Sequence, residues 1–290
     1  MSNRSANGLR AIALASLLIM TIGAQAADTP TYPDLRGAWS RFVVRGLGGQ
    51  PSFDQTKPWG RGQQAPLTPE YQKILDDSIA DQAKGGQGNF IDHALCHPAG
   101  MPFMMVATRP MEIIVTPDTT YILVGGSDHY RRLFTDGRSW PKTIEPSYSG
   151  YSIGKWIDQD GDGRYDVLET ETRGPFKGRR AYDATGLPLH FDNQSMFLER
   201  IYLDKADPNI LHNEITSIDN ALTRPWTVKR SYRRDADSRR PVWSEYICTE
   251  DNHHLRIGNE NYVVSGDGLL MPVRKGQPPP DLRYFSQTQR

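Results

Sequence analysis

The chain has 290 residues, with 34 Lys and Arg against 34 Asp and Glu and a formal net charge of zero. That balance excludes a broad electrostatic field for nucleic acid or an anionic membrane surface. With 37 % hydrophobic and 10 % aromatic residues, the chain can bury a sizeable core, as one large β domain or two small ones.

Residues 1–26 read as a signal peptide. Arg4 and Arg10 form a basic start, "AIALASLLIMTIGA" is an apolar stretch, and "AQA" is a small-x-small cleavage pattern that places the cut after Ala26. The apolar run is shorter than the ~20 residues that span a bilayer. No later run could anchor the chain, so a periplasmic or secreted protein without a membrane span is expected.

Residues 27–100 form an extended segment rich in Pro, Gly and Gln, carrying one helix. Within it, "DLRGAWSR" sets Gly37 and Trp39 as a G-x-W on a first strand, and in lipocalin-like barrels such a tryptophan plugs one end. Thr68 caps "PEYQKILDDSIADQA", with Pro69 at the first helical position. Tyr71, Ile74, Leu75 and Ile79 fall on one face, so the helix packs on the body of the fold. Cys96 and Cys248 both follow the cleavage site, and an oxidising compartment predicts a disulfide between them. Closing a loop of about 150 residues is worth ~4–5 kcal/mol in the chain-entropy model.

From residue 101 to 290 the pattern changes to period two. "MEIIVT", "TYILVGG", "HYRRLF", "GYSIGKW", "DVLETETR", "MFLERIYL", "ILHNEITSI", "PWTVKRSYRR" and "VWSEYICTE" are β-branched and aromatic runs separated by short turns. Without βαβ alternation or internal repeats, they predict an all-β fold. The expected form is an antiparallel meander closed as a lipocalin-like barrel, or folded as a sandwich.

Between two of these runs lies "DQDGDGRYDVLE", residues 158–169. Asp158, Asp160, Asp162, Asp166 and Glu169, with the carbonyl of Arg164, have the spacing of a Ca²⁺ loop. An EF-hand needs helices on both sides, whereas these flanks read as strands. The cation is therefore expected to be structural, clipping a hairpin.

"FTDGRSWP", "YSGYSIGKW", "GLPLHFDNQS", "LERIYLDK", "NEITSIDNALTRPWTV" and "EYICTEDN" together resemble a group of exported bacterial proteins to which no reaction is assigned. The resemblance covers roughly residues 66–285. It implies export and a shared fold, with the Ca²⁺-type loop as an elaboration of a shorter turn.

For chemistry, His190 is a candidate proton carrier, with Glu199 or Glu214 as its partner and Arg200 as a stabiliser of negative charge. Alternation puts Glu199 and Arg200 on opposite faces, so one of them points inward and needs a salt bridge or an anionic ligand. Trp156, Trp226, Tyr151, His129 and Arg131 are candidate ligand-binding residues. There is no G-x-S-x-G elbow, phosphate loop or H-E-x-x-H, and no organic cofactor is expected. Three readings stand: a barrel cavity that binds a small apolar or aromatic molecule, a cofactor-independent acid/base enzyme using that cavity, and a Ca²⁺-stabilised surface or scaffold protein.

Overall fold

The computed structural model describes residues 32–41, 65–85, 98, 100–107, 109–125, 129–177, 194–236, 254–257, 260–265 and 267–279. Nine strands close a barrel: β1 (Ala38–Arg41), β2 (Met111–Val115), β3 (Thr119–Val124), β4 (His129–Phe134), β5 (Tyr151–Ile157), β6 (Val167–Arg173), β7 (Met196–Leu203), β8 (Ile210–Ile218) and β9 (Trp226–Arg234). The ring is completed by β1 pairing with both β2 and β9. The expected all-β barrel with one helix is thus the observed architecture. Eight of its strands are the β-branched runs of the sequence, and the ninth is the segment carrying Trp39. The expected strand at "VWSEYICTE" lies outside the described residues, as do residues 1–26, Cys96 and Cys248.

One pair departs from the expected antiparallel meander. β4 and β5 run parallel, over only two residue pairs, Leu133 with Ser152 and Phe134 with Ile153. Each antiparallel neighbour reverses strand direction, so an odd ring cannot close on antiparallel pairs alone. Nine strands require one parallel seam. Residues 135–150 leave β4 and return beside it before β5 starts.

Alternation sorts each strand into an inner and an outer face. On β7 and β8 the odd residues point inward, and on β6 and β9 the even ones. Trp39, Met111, Phe197, Leu211, Trp226 and Tyr232 are at most 1 % exposed and fill the interior. The indole of Trp39 donates to the Leu35 carbonyl at 3.0 Å. The Arg234 guanidinium lies 4.4 Å over its ring and donates to the carbonyls of Asp34, Arg36 and Pro208. This end of the barrel is closed by a tryptophan and its arginine cover.

The helix α1 (Pro69–Ala83) buries Tyr71 and Leu75, as its apolar spacing predicts. A 3-10 turn, Phe103–Val106, is wholly buried, and its Met105 carbonyl accepts the Tyr232 hydroxyl at 2.5 Å. A separate sheet of β10 (His254–Ile257), β11 (Glu260–Val264) and β12 (Leu270–Pro272) follows. Arg274, just beyond it, pairs with Asp81 of α1 at 3.0 Å. No described helix is long and apolar enough to cross a membrane.

Candidate functional site

The inward member of the Glu199–Arg200 pair is Glu199. Its carboxylate takes both ends of the Arg131 guanidinium, at 3.1 and 2.5 Å. Asn213 and Thr170 also donate to it, at 2.9 and 3.2 Å, and Thr172 accepts a second bond from Arg131 at 3.1 Å. The two charged side chains are 1 % and 0 % exposed. Burial pushes the Glu199 carboxyl up, but the Arg131 charge and four hydrogen bonds outweigh it and hold the pKa below the ordinary carboxylate value. A carboxylate so saturated is held as an anion. Of the two requirements for an inward charge, the internal salt bridge is the one met.

The barrel wall therefore divides the expected site residues. Arg131 and Trp226 are packed in the interior, and Trp226 is fully buried. Trp156 is half-buried at the seam. Its indole donates to Thr120 on β3 at 3.3 Å, and it meets Tyr32 edge-on with ring centroids 5.3 Å apart. Tyr151 points outward, with Phe134 and Trp140 at 5.0 and 5.9 Å. The register pairs His129 with Val124, but its side chain, like His190, lies outside the described residues. Glu214 and Arg200 face outward on neighbouring strands, directly paired. Among the described residues, the candidate catalytic and ligand-binding side chains lie on both sides of the wall and do not line one internal cavity; alternation alone could not tell which residues of adjacent strands share a side.

The outer wall carries two joined recesses. The first, of about 630 Å³, has Ile153 of β5 and Leu198 of β7 on its floor, and Arg138 and Trp140 from residues 135–150 at its rim. Leu198 is 37 % exposed, an apolar side chain on a wall otherwise studded with ion pairs. Trp140 is held by the Arg173 guanidinium at 4.2 Å, and Arg138 lies 3.8 Å over the Phe134 ring while its fork clasps Asp136. That clasp draws the Asp136 carboxyl down to about 2. Arg200 and Glu214 line this recess and the next.

The second recess, of about 810 Å³, lies between the acidic loop and the turn joining β7 to β8. Three groups from three strands make a hydrogen-bonded chain on its floor. Lys229 Nζ donates to the Tyr202 hydroxyl at 2.9 Å, which donates to Glu214 Oε1 at 2.6 Å. Beside it, His212 Nε2 meets Asp204 Oδ2 at 3.0 Å and Nδ1 meets Ser231 Oγ at 2.9 Å. A carboxylate can only accept, so Nε2 carries the proton and Ser231 donates to Nδ1. Burial holds the His212 pKa below its ordinary value despite Asp204, while the hydrogen bond from His212 draws Asp204 down to about 2. The imidazole is therefore neutral. Of these groups the sequence reading singled out Glu214, and Tyr202, Asp204 and Lys229 were missed. Their alternation was legible; the register that aligns them across three strands was not.

In the acidic loop, Gly161 and Gly163 adopt φ of +74° and +85°, conformations that favour glycine. Asp158 accepts the backbone N–H of both, at 2.7 and 2.9 Å, and Asp166 accepts that of Gln159 at 2.9 Å. Carboxylate oxygens of Asp158, Asp160 and Asp166 lie within 4.8 Å of one another. Asp162 instead caps the N–H of Arg164 at 2.9 Å. Glu169 stands apart too, on the outer face of β6, paired with Arg200 at 3.4 Å and Lys155 at 3.5 Å. In a hairpin the chain runs straight into a strand, so the residue that a helix would turn back to the loop is carried away from it.

No protein-family model matches the chain, and comparison with curated proteins finds no match.

Proposed function

We propose that this is an exported protein that binds a small molecule with an apolar or aromatic body, seated in the outer-wall recess beneath Trp140. The observation that carries this reading is the exposed Leu198 which, with Ile153 across Glu171, lines a recess of about 630 Å³. Ligand pockets typically measure ~300–1,000 Å³ and combine an apolar lining with a few fixed polar groups. Here Arg138, Lys155 and Arg200 supply the positive polar groups of the lining, beside the carboxylates of Glu169, Glu171 and Glu214.

The acidic loop serves this reading as a structural Ca²⁺ clip. Two oxygens bound to one Ca²⁺ stand at most ~5 Å apart, twice the usual Ca–O distance. The 4.8 Å spread of Asp158, Asp160 and Asp166 meets that limit. Native mass spectrometry of the mature protein from its own periplasm, before and after a chelator, tests both parts. A retained organic adduct that is lost in Leu198→Glu, with the β-sheet circular dichroism unchanged, is expected. An adduct that survives Leu198→Glu rules out this recess, and a mass indifferent to chelation rules out the cation.

A further inference from the structure

We propose that Tyr202 and Glu214 form a proton-transfer pair that acts on the carbon next to a carbonyl group of the molecule bound in the outer-wall recess; this rests on the binding reading above. Glu214 lines both recesses, so a ligand whose apolar body lies over Leu198 carries its polar head to the Tyr202–Glu214 hydrogen bond. Polar pairs across the outside of a barrel are ordinary. These differ in being half-buried on a recess floor and linked in sequence, ammonium to phenol to carboxylate. The phenol is fixed from behind, where the His212 ring stands 5.3 Å from it and is itself pinned by Asp204 and Ser231. Arg200, also on both linings, is placed to meet an anionic substituent.

Burial and the Glu214 hydrogen bond push the Tyr202 phenol above its ordinary pKa, so it is a donor at neutral pH. A carbonyl oxygen that enters between the two groups takes over the phenol's hydrogen bond and frees the carboxylate. Glu214 then removes the proton from the neighbouring carbon. The C–H electron pair becomes the carbon–carbon double bond of an enol, and the carbonyl π pair moves to oxygen, which takes the Tyr202 proton. Lys229 stabilises the phenolate left behind. Return of the Glu214 proton to the same carbon, or to a conjugated one, and of the enol proton to Tyr202 restores every group. The net change is hydrogen exchange or double-bond migration, with no oxidant or reductant.

The test uses 1-tetralone, a flat apolar ketone, with the full mature protein in D₂O. Proton NMR follows loss of the C2 hydrogens, and saturation-transfer NMR reports binding separately. Saturable exchange above the buffer rate is expected. Glu214→Gln and Tyr202→Phe should each slow it by about a hundredfold, the ordinary scale of one general acid or base, while binding stays within a few-fold. Leu198→Glu should abolish both signals. Tetralone that binds without exchange, or exchange that persists in Glu214→Gln, overturns the proton-transfer pair and leaves the binding site standing. Absence of binding by the wild-type protein overturns the binding reading and this one with it. Glu214→Gln replaces the basic carboxylate with a neutral amide and Tyr202→Phe removes only the hydroxyl, both with little change in side-chain volume, and circular dichroism checks each fold.

Discussion

The Arg131–Glu199 pair sets the energetics of the barrel interior. Two opposite charges are buried there against each other, and removing one leaves the other uncompensated. Glu199→Gln or Arg131→Met should each lose about 3–5 kcal/mol in urea unfolding, whereas replacing both with apolar residues should recover most of that loss. Additive losses in the double variant would refute the pairing. His212 makes a different demand, because burial favours its neutral form in the folded state. Its depressed pKa means that the unfolded chain binds the extra proton first, so stability is full above the ordinary value of 6.5 and falls as pH drops through it. Asp204, drawn down to about 2, adds a second loss only below its ordinary 3.8. Urea midpoints between pH 7.5 and 5 should fall for the wild type, and more shallowly for His212→Gln. An unchanged slope in that variant would place the titrating group elsewhere.

At the scale of elements, the β5–β6 hairpin is where local sequence was most legible. The alternation of aspartates, the glycines between them and the strand-like flanks all appear in the structure as read. What escaped reading was reach, since Glu169 faces Lys155 and Arg200 rather than the loop. Asp158 bonds two backbone N–H groups on its own account, so Asp158→Ala should lower the melting temperature even in a chelator. Asp160 makes no such backbone bond. Asp160→Asn should therefore match the wild type in a chelator and lose only the rise that Ca²⁺ produces. Equal melting temperatures for Asp160→Asn and wild type in Ca²⁺ would sink the clip. Gly163→Ala should cost about 1–2 kcal/mol by backbone strain alone, with or without the ion.

For the whole molecule, the barrel class was readable because β-branched runs and short turns are local signals. Even the first strand could be picked out, through Trp39. The side of the wall on which each residue lies needs register, and register is set between strands that do not know one another in the sequence. That is why Glu199 and Glu214 looked interchangeable as partners of one histidine, although the wall separates them.

The count of strands has a last consequence. An even barrel can be wound from hairpins throughout, with every connection a tight turn and nothing left over outside. This barrel has one strand too many for that, and its parallel seam obliges the chain to spend residues 135–150 on a detour. Trp140 and Arg138 ride on that detour, and they rim the recess. The roof over the proposed binding site is thus a product of parity. Without that detour the wall would keep Leu198 and Ile153 but lose the Trp140 and Arg138 that rim the recess.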